Sequence, residues 1–216
     1  MKKLLIILFI VMVGVASCAK MRKKEIAKES GATSFQPKPL DDEWSKWIVG
    51  EWEVSGESDM GKFKNWAKGT GRAKIELGLN GQFLIMKSKG VAGEISPEYI
   101  QYLKETGKTT DEDIEKLKNL TFEEIDIQTI DPKTGQIIGY LFDSLRCIAE
   151  GRGRREGNKE IIKWKWFGTG QGASSIRITE KISDDKIIVT EKYILPDGII
   201  MEDRGVMTRV KVTTEK

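Results

Sequence analysis

The sequence predicts an all-β fold, an antiparallel up-and-down barrel of about ten strands with a short helical insertion. Apolar and polar residues mainly alternate with a period of two from residue 48 onward, which is typical of half-buried strands. Gly, Asn, Asp and Pro interrupt this alternation at short intervals, so successive strands are joined as hairpins. Many short strands connected in sequence hide their edges by closing on themselves.

The N-terminus combines two lysines, an apolar run over residues 4–15 and small residues that lead directly into Cys18. The run is too short to span a bilayer, and the pattern is typical of a cleaved export signal. Small residues directly before a cysteine resemble the bacterial lipoprotein box, which implies that the thiol is acylated and that the chain is cut before it. We therefore predict a signal peptide over residues 1–17 and lipid attachment at Cys18. An ordinary signal peptide with an incidental cysteine is the alternative.

A lipidated tether is predicted over residues 18–40, and the barrel domain over residues 41–216. The tether is polar and charged, so it cannot bury enough apolar surface to offset the entropy of ordering. Its basic residues either contact anionic lipid headgroups or remain solvated. A single domain is expected for the rest, because its length is ordinary for one β-barrel.

The barrel domain begins with a short helical turn at 40–47, for which Asp41 and Asp42 are suitable N-cap residues. Turn sequences such as Asn80-Gly81 separate the strands that follow. Strands are predicted at 48–58, 68–78, 82–90, 122–130, 136–143, 145–150, 160–167, 174–182, 186–195 and 199–212.

The insertion at about 96–120 departs from the strand pattern. Ser96 before Pro97, and Thr110 before a run of acidic residues, are signals for helix N-termini. We therefore predict two short helices between two strands. They either cap one end of the barrel as a lid or pack against it as a decoration.

The absence of histidine excludes several classes of protein. A Ser-His-Asp triad, a His-based zinc site and a His-ligated haem all need this residue. Hydrolysis by carboxylates alone is not excluded by the lack of histidine. No spacing in the sequence, however, places two carboxylates at the separation that glycoside hydrolysis requires. We predict no enzyme, no catalytic residue and no metal site. The carboxylates considered are Asp126, Asp131, Asp143, Glu180 and Glu191.

Cysteine use and net charge set further limits. The chain has two cysteines, so acylation of Cys18 leaves Cys147 without a partner and the fold without a disulfide. Lys and Arg number 36 against 33 Asp and Glu, and two of the lysines are lost with the signal peptide. The near balance of charge predicts no nucleic-acid partner. We expect a monomer.

The segment from Gly50 to Trp52 resembles the Gly-x-Trp opening of lipocalin-like, or calycin, barrels. The resemblance implies that Trp52 plugs the closed end of the barrel while a basic residue of the last strand packs over its ring. A guanidinium over an indole gains cation-π attraction. Arg204 and Arg209 are the candidates for this barrel-closing partner.

Three segments together resemble a family of small bacterial lipocalin-like secreted lipoproteins of unknown function, distantly nitrobindin-like in shape. The segments are 47–52, 77–84 and 130–144, and the resemblance covers about residues 45–210 without the insertion. Haem binding of the nitrobindin type depends on an axial histidine, which this chain lacks. We therefore predict no cofactor.

A lipid-anchored protein that binds a small apolar or amphipathic ligand in its barrel is the leading hypothesis. Trp164, Trp166, Tyr140 and Phe142 are the candidate ligand-binding residues, because aromatic rings commonly line such cavities. The alternative for these rings is that they fill the core.

A non-enzymatic interaction lipoprotein with a solid core is the alternative function. The helical insertion or the outer face of the barrel would then dock a partner in the envelope, and exposed apolar surface on Tyr99, Ile100 and Leu103 would favour this function. For both functions the predicted location is the bacterial cell envelope. The outer membrane is favoured, because Cys18 is followed by Ala19 and not by the aspartate that retains enteric lipoproteins at the inner membrane.

Overall fold

The structure is a computed structural model that describes residues 37–107 and 109–211. The predicted signal peptide, Cys18 and most of the predicted tether lie outside the described residues, and their boundaries stay predictions. No helix within the described ranges is long and apolar enough to cross a membrane.

Ten antiparallel strands form one closed barrel, in which each strand pairs with its neighbours in sequence and β1 closes the ring by pairing with β10. The predicted fold class is confirmed, and every predicted strand is present, with ends that differ from the prediction by up to six residues. The strands are β1 (Gly50–Met60), β2 (Phe63–Gly78), β3 (Phe83–Ile95), β4 (Thr121–Ile130), β5 (Ile137–Asp143), β6 (Cys147–Glu156), β7 (Lys159–Gly168), β8 (Ser174–Ser183), β9 (Lys186–Ile194) and β10 (Ile200–Arg209).

A short helix, α1 (Glu43–Ile48), covers the end of the barrel where β1 begins. The Asp42 side chain caps it by accepting a hydrogen bond from the Ser45 backbone N–H at 2.9 Å. Trp44 and Ile48 of this helix are buried and belong to the core cluster around Trp52. The helix therefore stabilises the end that the sequence predicted to be closed.

Trp52 is fully buried at this end. Its indole N–H donates to the Ile48 carbonyl at 3.0 Å, and the Arg209 guanidinium lies 4.2 Å from the ring centroid. The register explains this contact, because Trp52 and Arg209 are direct cross-strand partners. Arg204 instead pairs in register with Glu57 and donates to Asp59 at 2.7 Å. The prediction that Arg204 closes the barrel is therefore wrong, since it lies five residues along the strand from that contact.

The insertion forms two helices, α2 (Pro97–Glu105) and α3 (Asp111–Lys118), with Ser96 and Thr110 as their N-caps. Tyr99 packs against Phe63 and Trp66 of β2, with ring centroids 5.2 and 4.8 Å apart. Ile114 is the buried anchor of α3. No residue of either helix lines the interior cavity described below, although Tyr99 contacts Trp66, which does.

Candidate ligand-binding cavity

Strand β4 turns two of its acidic residues into the barrel and the isoleucine between them outward. Asp126 is buried, whereas Ile125 is 41% exposed. Glu124 and Gln128 share the inward face with Asp126, since alternate residues of a strand point the same way. The interior of this barrel is therefore partly polar.

A cavity of about 450 Å³ lies inside the barrel. Part of its lining, the apolar side, is apolar or lacks side chains, and part, the polar side, carries acidic groups and a guanidinium; β4, β9 and β10 contribute to both. The apolar side includes Val54, Trp66, Gly69, Gly71, Ala73, Met86, Gly90, Phe122, Val189 and Met207. The polar side includes Glu124, Asp126, Gln128, Glu160, Arg177, Glu191, Tyr193 and Asp203.

Glycines create the open space beside β2 and β3. A Cβ atom at Gly71 would lie 2.5 Å from the Lys89 carbonyl oxygen, and one at Gly90 would lie 2.6 Å from the Phe122 ring. Gly71 and Gly90 are direct cross-strand partners. Side chains are thus absent from this part of the cavity lining, the glycine wall, because the neighbouring backbone and ring leave no room for them.

Arg177 of β8 is the centre of the polar side. Its Nε donates to Glu191 Oε2 at 2.5 Å, and its Nη1 donates to Asp126 Oδ2 at 3.4 Å. Ser175 donates to the other oxygen of Glu191 at 2.5 Å and accepts from the Trp166 indole at 2.9 Å. The guanidinium also lies 5.4 Å from the Trp164 ring centroid. These partners hold Arg177 in place. Burial lowers its pKa, but the surrounding carboxylates outweigh burial and raise the pKa well above the usual value of arginine.

Two carboxyls beside Arg177 are incompletely partnered. Among the described residues, none donates a hydrogen bond to the Glu124 carboxylate, and Asp126 Oδ1 is buried without a partner. Burial raises the pKa of Glu124 to about 7 and that of Asp126 to about 6, although the positive charge of Arg177 opposes both shifts.

The other interior acids have defined partners. Glu160 accepts from Arg155 at 3.0 Å, and Arg155 in turn donates to Asp42 at 2.5 Å, which connects β6, β7 and the cap of α1. Asp203 accepts from the Ser58 hydroxyl at 2.5 Å. Burial raises the pKa of both Glu160 and Asp203.

Trp164 and Trp166 are buried in a core cluster on the β5–β7 side, and neither lines the cavity. The Trp164 ring fills the space over Gly139 and Gly151, where Cβ atoms would lie 2.8 and 2.7 Å from it. The structure therefore places both indoles as core residues, in a position where Trp164 supports Arg177.

Tyr140 and Phe142 lie on the outer face of β5, with 43% and 42% of their surface exposed. The prediction that they line the cavity is corrected, because the fully buried Leu141 between them takes the inward position. Phe142 instead forms an outer row with its cross-strand partners Ile125 and Ile148.

The carboxylates considered in the sequence separate into two groups. Asp126 and Glu191 lie inside the barrel. Asp131 and Asp143 accept backbone hydrogen bonds in turns, and Glu180 pairs with Lys159 on the surface. Glu124 and Arg177 were missed, since acidic residues that alternate with isoleucine are usually on the solvent side. In the described part of the chain, no three side chains converge as metal ligands.

Comparison with known proteins shows the class of the fold. No family model and no curated protein matches the sequence. An S-type phycobiliprotein lyase from Guillardia theta is similar in structure, with a TM-score of 0.52, 11% sequence identity, and coverage of 79% of this chain and 93% of that chain. A de novo designed fluorescence-activating β-barrel has a TM-score of 0.38 at 11% identity, over 78% of this chain and 99% of that chain. The lyase likeness, together with the closed topology, shows a lipocalin-like barrel.

Proposed function

We propose that this protein binds a small amphipathic ligand inside its barrel while anchored in the bacterial cell envelope. The cavity of about 450 Å³ carries the proposal. Its volume lies in the usual range for small-molecule sites, which combine an apolar lining with a few converging polar groups. Glycines keep one wall open and Arg177 orders the other, so the space is built by the fold.

A substitution that fills the cavity should abolish binding of an uncharged apolar dye such as N-phenyl-1-naphthylamine. Val189 lines the cavity, so Val189→Phe places a ring in the space that the dye needs. We expect the dissociation constant, measured by fluorescence titration, to rise about tenfold or more.

The matched control is Val206→Phe, because Val206 alternates with the inward-facing Met207 and lies outside the cavity lining. Dye affinity should be unchanged in this control. Equal affinity of Val189→Phe and the unaltered protein, with both folded by circular dichroism, would contradict binding in the cavity.

Lipid attachment at Cys18 is proposed from the sequence alone. The N-terminal pattern, with the resemblance to small secreted bacterial lipoproteins, supports anchoring in the envelope, with the outer membrane favoured. We expect Cys18→Ala to leave an unprocessed, unacylated precursor. Metabolic labelling with a palmitate analogue measures this, and a labelled, membrane-associated mature protein from the variant would refute acylation at Cys18.

We propose a non-enzymatic role for a monomer without a cofactor. The chain lacks histidine, and the interior acids mostly pair with arginine or serine side chains.

Docking of an envelope partner is the second candidate function, favoured by an exposed apolar row on the outer face. Ile125, Phe142, Ile148 and Phe167 are successive cross-strand partners over β4 to β7, and each is exposed. The outer face is one of the two surfaces predicted for this role; on the other, the helical insertion, Tyr99, Ile100 and Leu103 are each half-buried. Phe142→Lys should disrupt docking and leave dye binding intact, whereas Val189→Phe should do the reverse.

A further inference from the structure

We infer that the cavity selects ligands that carry a positively charged head, an amine or a quaternary ammonium group, on an apolar body. The inference rests on the proposed ligand-binding function and names its ligand class. It depends on the charges that line the cavity, on two acceptor groups without donors and on the apolar surface beside them.

Negative charge is in excess inside the barrel. Six carboxyl groups line the cavity: that of Glu57 at its border, where it pairs with Arg204, and those of Glu124, Asp126, Glu160, Glu191 and Asp203 in the interior. Within the described residues, Arg177 and Arg155 are the interior cations that pair with them. Arg155 is already shared by Glu160 and Asp42, and Arg177 by Glu191 and Asp126. The charge of each guanidinium is therefore already matched by two carboxylates.

The basic residues at the border of the cavity do not offset this excess. Lys68, Arg72, Lys89 and Arg204 lie on outward strand positions, and each pairs with an acidic residue there. Their side chains keep about half or more of their surface exposed, so solvent screens their charge from the interior.

The unpartnered acceptors indicate where the charged head binds. Glu124 lines the cavity without a donor among the described residues, and the buried Oδ1 of Asp126 on the same strand face is also without one. A buried acceptor without a donor costs free energy that a ligand donor or cation recovers. Glu124 and Asp126 are the groups that a cation would contact.

The apolar side of the same cavity fits the rest of such a ligand. Trp66, Met86 and Phe122 line it beside the glycine wall. A bare metal ion would leave this surface unused, and no three described side chains converge as ligands for one. An organic cation satisfies both sides of the cavity together.

Protonation of the acids couples this selectivity to pH. The raised pKa values of Glu124 and Asp126 reflect burial, and the groups that face them are Arg177 of β8, Glu191 of β9, Glu160 of β7 and Asp143 at the end of β5. A cation favours the ionised carboxylates, so its affinity should rise from about pH 5.5 to about pH 8.

Three naphthalene probes with fixed head groups test the inference. They are trimethyl(2-naphthylmethyl)ammonium, 2-naphthylmethanol and 2-naphthylmethanesulfonate, titrated calorimetrically at about pH 8. We expect the ammonium probe to bind about tenfold or more tightly than the alcohol, and the sulfonate to bind most weakly. Glu124→Gln should remove most of the preference for the ammonium probe while keeping affinity for the alcohol, and Asp126→Asn should reduce the preference independently.

Glu123→Gln is the matched control, because Glu123 precedes Glu124 on β4 but pairs with Lys89 on the outer face. It should keep the full preference. Equal binding of the ammonium and the alcohol, an unchanged preference in Glu124→Gln, or displacement of the ammonium probe by calcium ion would overturn the inference while the ligand-binding function stands. If no probe binds and the uncharged dye also fails to bind, the proposed function fails with it.

Discussion

Replacing Arg177 with methionine should lower the free energy of unfolding by about 3–5 kcal/mol at about pH 8. Methionine keeps much of the length of the side chain but removes the charge that Glu191 and Asp126 share. Glu124, already without a hydrogen-bond donor among the described residues, would lose the nearby positive charge as well. Buried carboxylates without a counter-ion are costly, so the loss should be large.

The stability lost in Arg177→Met should be smaller at lower pH, whereas a loss caused by a packing defect would not depend on pH. The pKa of Glu124 and of Asp126 is raised in the folded protein, so between the unfolded and folded values the folded state binds more protons. Stability therefore falls as the pH rises from the unfolded pKa values, 3.8 for Asp126 and 4.5 for Glu124, to the folded values of about 6 and about 7, and it is level above them. Removing Arg177 raises the pKa of both carboxyls further, so the free energy of unfolding depends more strongly on pH in the variant.

Urea unfolding at several pH values measures the effect, with Arg152→Met as the control. Arg152 pairs with Glu150 on the exposed side of β6, so its loss should cost less than about 1 kcal/mol at any pH. A loss below about 1 kcal/mol for Arg177→Met, or one independent of pH, would show that the interior acids do not depend on this guanidinium.

Trp52→Ala should also cost about 3–5 kcal/mol, because a large ring is removed from a fully packed position. The substitution takes away the hydrogen bond to the Ile48 carbonyl and the surface on which Arg209 stacks. It also removes the edge contact with Trp47, whose ring centroid lies 6.0 Å away. The closed end would then lose the residue that joins α1 to the barrel.

Thermal and urea denaturation of Trp52→Ala check this value. Leu79→Ala, in the turn between β2 and β3, is the control, because Leu79 is 69% exposed and its truncation should change stability by less than about 0.5 kcal/mol. If Trp52→Ala costs no more than Leu79→Ala, the ring does not close the barrel.

Most of the fold could be predicted from the sequence because its signals are local. Period-two alternation between turn residues gives the ten strands, and Ser96 and Thr110 specify the helices of the insertion through their caps. The sequence limited the partner of the Trp52 ring to Arg204 or Arg209 but could not decide between them. Cross-strand register decides between them, and register is not a local property.

The site was harder to predict because alternation does not say which face is inside. On β4 the sequence fits two arrangements, with Glu124 inward or with Ile125 inward, and polar residues are usually outside. Here the outward isoleucine is stabilised by its cross-strand neighbour Phe142, and the inward acids by Arg177 on a distant strand. That balance depends on several strands at once.

The glycine wall also affects how this protein can change over evolutionary time. A cavity is easily lost when random substitutions replace small residues by larger ones. At Gly71 any added carbon would meet the Lys89 carbonyl oxygen of the paired strand, and at Gly69 it would lie 3.0 Å from the Val91 carbonyl oxygen. Such substitutions disturb strand pairing before they fill the cavity. The empty volume is therefore protected against mutational drift by the same backbone contacts that keep the barrel closed.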